Sequence, residues 1–312
     1  MKRQRGFERP DEYRGGVLSI GNFDGVHRGH QRILAELVAA ARDVGGPAVV
    51  LTFDPHPISL LAPGRTPPSL STLDRKAELI ARCGVDCLIA YPTDHALLQL
   101  DADEFFARVV RQELDARGMV EGPNFYFGRD RGGDVAGLAV LCRTHAMSLR
   151  VVQPVELNGA IVSSSAIRAQ VSSGAVAAAV EMLGHPYQLA GVVEHGAQRG
   201  RELGFPTANL GGIRTLLPAD GVYAAVCRVA DTDHPAAIHI GTNPTFQDAN
   251  RKVEAHLLDF RGDLYGQTLR VDLLARVRET RTFPDREQFL VQLRDDLAAV
   301  RRIVAAESRG TR

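Results

Sequence analysis

Two rhythms of apolar and polar residues divide this chain. In the first half, short runs that are apolar almost throughout alternate with segments whose apolar residues recur at helical spacing. Val17–Ile20 is one such run, ended by Gly21; Ala48–Phe53 is a second, stopped by Asp54, Pro55 and Pro57; Cys87–Tyr91 is a third. Between them, residues 33–41 put Leu34, Leu37 and Val38 on one side of a helix, and Leu73–Arg82 reads as another. Residues 102–116 set Phe105, Val109, Val110 and Leu114 at helical spacing, and a strand fragment at 119–120, a helix at 135–145 and a strand at 149–152 follow. Strands this apolar, alternating with helices, predict an α/β domain whose parallel sheet is covered on both faces.

After about residue 184 the rhythm shortens. Strand signals at Tyr187–Glu194, Gly221–Val229, 236–241, 252–260 and 268–277 follow one another, punctuated by glycine and proline. No crossover helix fits between them, which predicts an antiparallel sheet closed into a small β-barrel. The chain then returns to helical spacing over 285–306, with Asp285 as N-cap and Phe289, Leu293, Leu297, Val300 and Val304 as the apolar stripe. Gly184, His185 and Pro186 form a helix-stop signal before the first barrel strand. The predicted domains are therefore 1–184 and 185–312.

Composition narrows the class. Lys plus Arg equals Asp plus Glu, at 37 each, so no broad electrostatic footprint for nucleic acid or an anionic membrane exists, and any anion recognition is local. Hydrophobic residues at 45% and charged residues at 24% fit a soluble globular chain. The four cysteines, Cys83, Cys87, Cys142 and Cys227, are scattered and mostly within apolar runs, the pattern of reduced thiols in a cytoplasmic protein. The charged first 14 residues predict neither a signal peptide nor a membrane anchor. Small-molecule partners are expected, and a homo-oligomer is left open.

Residues 21–30 read Gly-Asn-Phe-Asp-Gly-Val-His-Arg-Gly-His between a strand and a helix. Three glycines let the backbone approach a ligand closely. A helix N-terminus offers unpaired N–H groups to phosphate. His27 and His30, three apart, lie on the same side of the first turn, where two imidazoles can donate to one phosphate. A surface cap or a zinc site with a third ligand are the alternatives, and the glycine-rich setting favours phosphate over zinc.

Three more segments carry chemistry. Residues 122–128 place Phe125, Tyr126 and Phe127 between glycines, so that alternate rings of an extended stretch point opposite ways. Ser163, Ser164 and Ser165 precede Ile167 and Arg168: hydroxyl caps, then a helix with a guanidinium in its first turns, a second phosphate clamp. Residues 196–209 carry Gly196, Gly200 and Gly204 at a spacing of four, then Phe205 and Pro206, with Thr207 and Asn209 two apart on one side of an extended segment. Both are hard oxygen donors suited to Mg²⁺ or to a phosphate bridging it. Strand alternation over 253–260 puts Glu254 and His256 on one face and Val253, Ala255 and Leu257 on the other.

Together these segments resemble the prokaryotic bifunctional riboflavin kinase/FMN adenylyltransferase (FAD synthetase) family over roughly residues 15 to 300. The resemblance implies a Rossmann-like nucleotidylyltransferase domain followed by a riboflavin kinase barrel with a terminal helix. It implies ATP, riboflavin and FMN as substrates and Mg²⁺ as cofactor. In the first domain it implies that Gly21, Phe23, Asp24, Gly25, His27, Gly29, His30, Ser164 and Arg168 bind ATP, and that Asn124, Phe125 and Phe127 meet the flavin. His27 and His30 hold the ATP phosphates during adenylyl transfer in that family. In the second it implies ATP contacts from Gly196, Gly200, Arg201, Thr207 and Asn209, with Thr207 and Asn209 carrying the Mg²⁺. Gly204 and Phe205 face the flavin, and Glu254 accepts the proton of the ribityl hydroxyl. Ser165 stands where the family has threonine and keeps the hydroxyl.

Overall fold

The computed structural model describes residues 1–195, 205–230, 232–243 and 248–310. The chain forms two compact units, Met1–Ser163 and Ser164–Arg312.

The first unit is built on a six-stranded sheet in the order β1-β4-β3-β2-β5-β6. Its strands are β1 (Lys2–Arg5), β2 (Val17–Ile20), β3 (Ala48–Phe53), β4 (Cys87–Tyr91), β5 (Gly118–Glu121) and β6 (Ser148–Val151), and every pairing is parallel. Side chains alternate across the sheet. Val17, Ala48, Val50 and Leu88 face one layer, with Leu34 and Leu37 of α1 (Arg28–Val44) and Ala77 and Ile80 of α3 (Leu73–Arg82); α2 (Pro57–Leu61) lies between these helices in sequence. Leu18, Ile20, Val49, Leu51 and Ile89 face the other. There they meet Phe105, Phe106, Val109 and Val110. These four belong to α5 (Ala102–Phe105), which follows α4 (His95–Gln99), and to the π-helical segment Phe106–Glu113. Leu138 and Cys142 of α6 (Val135–Thr144) complete that layer, and a short hairpin, β7 (Glu156–Leu157) and β8 (Ala160–Ile161), closes the unit. The sheet is therefore buried on both faces, as the apolar runs predict.

The order of this sheet creates a gap with a function. From β2 the chain winds outward through β3 and β4, then returns to add β5 and β6 on the opposite side. Adjacent connections leave β2 and β5 in opposite directions, so a crevice opens at their carboxyl ends, where open α/β sheets bind ligands.

The second unit starts with α7 (Ser164–Ser173) and α8 (Val176–Leu183), which pack on each other. α8 also packs on the barrel strands β14 and β9, and Gly184 ends it in the left-handed region at φ 75°. Contacts thus join these helices to the barrel, whereas the helix-stop signal puts the sequence boundary later, after Gly184. The barrel closes in the order β10-β13-β12-β11-β14-β9, with all pairings antiparallel. Its strands are β9 (Tyr187–Glu194), β10 (Ala208–Gly211), β11 (Gly221–Val229), β12 (Thr232–Asn243), β13 (Asp248–Leu257) and β14 (Thr268–Arg278). The final helix, α9 (Arg286–Gly310), lays Val300 and Val304 on Ala224, Ala237 and Leu274. Asp285 caps it, accepting from Gln288 N at 2.8 Å. The four cysteines are unpaired, and burial pushes the thiols of Cys87 and Cys142 up to about 11 and that of Cys227 up to about 12.

Candidate functional site

In the first unit the loop between β2 and α1 is held in a strained shape. Phe23, Gly25 and Val26 all have positive φ, at 45°, 79° and 41°. For a β-branched valine that conformation is costly, and such strain collects at functional sites. The loop is over-determined from outside. The Asp24 carboxylate accepts from Leu70 N at 2.9 Å and from Ser71 N at 3.1 Å, and Gly25 N donates to Ser71 Oγ at 3.0 Å. Asp24 is thus committed to anchoring the loop, and neither Asp24 nor Gly25 lines the cavity described next.

His27 is the N-cap of α1: its Nδ1 accepts from His30 N at 3.3 Å. That bond leaves the proton of a neutral His27 on Nε2. The two imidazoles stack with centroids 3.6 Å apart and planes 18° from parallel, and Phe23 tilts against His30 at 5.1 Å. Burial, with smaller contributions from His27 and Lys76, holds His30 well below the ordinary histidine range, so it is a neutral donor at pH 7. Gly29 lies directly on the His27 ring: a Cβ there would sit 3.2 Å from its Nδ1 and Cε1.

Both rings line a cavity of about 280 Å³ at the carboxyl ends of β2 and β5, the crevice set by strand order. Gly21, Phe23 and Gly29 also line it, as do Asn124 and Phe125 from the loop after β5. Phe127 does not. It is 7% exposed, pairs its backbone with Gly133 and stacks on Phe125 from the core side at 5.5 Å. Phe125 therefore lines the cavity, while Phe127 fills the core beneath it. Ser164 and Arg168 open α7 in the second unit; Ser163, just before them, lines the cavity. Sequence reasoning missed Glu121 and Gln153 as lining residues. Among the described residues no group of three His, Cys, Asp or Glu side chains converges as a zinc site would require.

In the barrel, register assembles a polar row. Asn209 of β10 pairs with Glu254 of β13, and Glu254 pairs with His239 of β12. Directly paired residues share a face, so the three side chains form one line across neighbouring strands. Glu254 Oε2 lies 3.6 Å from His239 Nδ1. Val253, Ala255 and Leu257 are buried, as strand alternation predicts, while Glu254 and His256 are part-exposed. His256 Nδ1 donates to Pro206 O at 2.8 Å and its ring meets Phe205 edge-on. It thereby fixes the segment that leads through Thr207 into β10. Gly196, Gly200, Arg201 and Gly204 lie outside the described residues. His239 was not singled out from sequence; it alternates along its strand like any polar residue, and only its partner across the sheet gives it meaning.

A doubly wound sheet with a histidine-bearing glycine loop at its switch point, followed by a closed antiparallel barrel, defines a two-domain transferase acting on phosphate-bearing substrates. Residues 9–166 match the family model described as FAD synthetase, and residues 183–304 match that described as riboflavin kinase. The chain is 35% identical over 287 residues to the bifunctional riboflavin kinase/FMN adenylyltransferase of Escherichia coli (strain K12), covering 91% of this chain and 92% of that one. It is 37% identical to the Pseudomonas fluorescens protein of the same description, covering 94% of each. A crystal structure of a Streptococcus pneumoniae protein described as a macrolide-efflux protein superposes with a TM-score of 0.85, at 31% identity, over 96% of this chain and 98% of that one. The chain belongs to the bifunctional riboflavin kinase/FMN adenylyltransferase family. Among the described residues no helix is long and apolar enough to cross a membrane.

Proposed function

We propose that the barrel phosphorylates riboflavin to FMN with ATP, and that the sheet domain transfers AMP from a second ATP to FMN, giving FAD and pyrophosphate. The observation that carries this reading is the presence, in one chain and in this order, of both matched regions, each with its own polar centre. Both steps are displacements at phosphorus, in which positioning and electrostatics supply most of the acceleration.

In the sheet domain, the imidazoles of His27 and His30 and the amides at the start of α1 receive the ATP phosphates. Charge-assisted hydrogen bonds of this kind contribute about 1.5–3 kcal/mol each as charge develops. Asn124 and Phe125 meet the flavin. In the barrel, Glu254 takes the proton of the ribityl hydroxyl as it attacks the γ-phosphorus. Thr207 and Asn209 offer a hydroxyl and an amide oxygen beside Glu254's strand, a hard-donor set that fits Mg²⁺. When bound, Mg²⁺ neutralises charge on the transferring phosphates.

The domain limits 1–184 and 185–312 belong to this reading, supported by family matches that end at 166 and resume at 183. So does a cytoplasmic location. Incubating the protein with riboflavin, ATP and Mg²⁺ and separating the flavins tests the whole: FMN should appear first and FAD after it. Riboflavin left unconverted would overturn the kinase assignment, and FMN without FAD the adenylyltransferase assignment.

A further inference from the structure

Glu121 is a carboxylic acid where an apolar residue would be expected. It ends β5, is 3% exposed, and lies among Met119, Val120 and the apolar strand β2. The pairing of β2 with β5 runs from Val17 opposite Gly118 to Leu18 opposite Met119 and then stops. Beyond that point the Ile20 N–H donates instead to Glu121 Oε1, at 2.8 Å. The side chain has replaced a ladder bond. It braces the two strands where the crevice opens, and Glu121 is among the residues that line the cavity.

We infer that Glu121 is a substrate-binding residue of the adenylyl-transfer site, in which one carboxyl oxygen braces Ile20 and the other donates a hydrogen bond to an acceptor on the edge of a flat nitrogen heterocycle. This rests on the adenylyltransferase reading above. Four observations support it. The walls around Glu121 are apolar, with Ile33, Phe125, Val152 and Val155 facing the space, and such walls suit a flat ring. The cavity, about 280 Å³, has room for a flat ring system. Buried polar groups that break the local apolar rule mark functional positions. Burial also pushes the carboxyl well above the ordinary carboxylate range, against the opposing bond from Ile20, which favours the protonated form that can donate. The titratable groups around it are His27 and His30 across the cavity and the Cys142 thiol of α6.

Two heterocycles meet this chemistry, the adenine of ATP and the isoalloxazine of FMN, and kinetics separates them. FAD formation is measured with ATP and FMN varied in turn for wild type, Glu121→Leu and Glu121→Gln, with riboflavin phosphorylation and the far-ultraviolet circular dichroism of the same samples as checks on folding. Leucine removes donor and acceptor; glutamine keeps both. Glu121→Leu is expected to raise the KM for one substrate at least about tenfold and leave the other within about twofold. Glu121→Gln should lose no more than about threefold. The substrate affected identifies the ring. Unchanged KM values in the leucine variant, an equal rise in both, a loss confined to kcat, or a glutamine variant as impaired as leucine would each overturn the inference and leave Glu121 as a strut between strands. Wild-type protein that makes no FAD at all would instead sink the adenylyltransferase reading, and this inference with it.

Discussion

Glu254 faces His239 across the β12–β13 pairing, with Oε2 3.6 Å from Nδ1, and faces Asn209 on its other side. A glutamate flanked in this way is oriented by its neighbours, which is what a general base requires. Removing a positioned base typically costs 10²–10⁴-fold. Glu254→Gln should therefore lower riboflavin phosphorylation by at least about 10²-fold, while FAD formation from supplied FMN proceeds at the wild-type rate. Loss of both activities in a folded variant would contradict separate sites.

His27 has two jobs that substitution can separate. It caps α1 through Nδ1, and it lines the cavity. Serine is a good N-cap but carries no imidazole. His27→Ser should keep the stability of the first unit within about 0.5 kcal/mol, whereas His27→Ala should cost about 1 kcal/mol, read as urea midpoints. Both should slow FAD formation by about ten- to a hundredfold, the range one charge-assisted hydrogen bond allows. An active His27→Ser enzyme would show that capping is the residue's whole contribution.

His30 should behave differently, because it caps nothing. His30→Ala should cut FAD formation by about ten- to a hundredfold and leave riboflavin phosphorylation intact, the reverse of Glu254→Gln. Equal loss of both activities would refute the assignment of phosphate binding to this ring.

Much of this was legible in the sequence, for physical reasons. Val17–Ile20 and Ala48–Phe53 announce themselves because strands covered on both faces have no polar side to show. The loop with His27 and His30 is legible because its glycines and helix start define one chemistry. β1 is hidden by its composition, Lys-Arg-Gln-Arg; it is an edge strand in which only Gln4 is buried, and charges are what edges carry. β10, with four residues and one buried leucine, has too little pattern to register, yet it closes the barrel and holds Asn209. The segment Phe106–Glu113 reads as α-helix because π-helical winding keeps the same apolar residues inward. Glu121 and His239 carry no signal of their own. One ends an apolar strand and the other alternates with apolar neighbours, and only the residues across from them show what they do.

The terminal helix is tied to the barrel by a buried ion pair. Arg278 of β14 reaches Asp296 of α9 with Nε at 2.9 Å from both carboxylate oxygens and Nη2 at 2.8 Å, and Asp296 is 1% exposed. Gln292 Nε2 adds a bond at 2.7 Å. Removing one partner of a buried pair strands the other, at about 3–5 kcal/mol; Arg278 retains some access to water, which places the expected cost of Asp296→Ala at the low end. A loss of less than about 1 kcal/mol in the barrel's urea unfolding would show that the Arg278–Asp296 pair contributes little to holding α9.

The raised Glu121 carboxyl makes a prediction about stability that is independent of catalysis. The unfolded chain releases this proton near the usual carboxylate value of about 4.3. The folded protein retains it to a higher pH because burial penalises the charge. The folded state therefore binds more protons in the window between the two values, and stability must fall as pH rises through it. Below the unfolded value the contribution is complete; above the folded value it is gone. Glutamine keeps an acceptor for Ile20 and never titrates. The melting temperature of Glu121→Gln minus that of wild type should thus be near zero around pH 4 and increase as pH rises through the window between the two values, each unit of pKa difference being worth about 1.4 kcal/mol. A difference that stays flat across that range would mean that Glu121 ionises as easily in the folded protein as outside it.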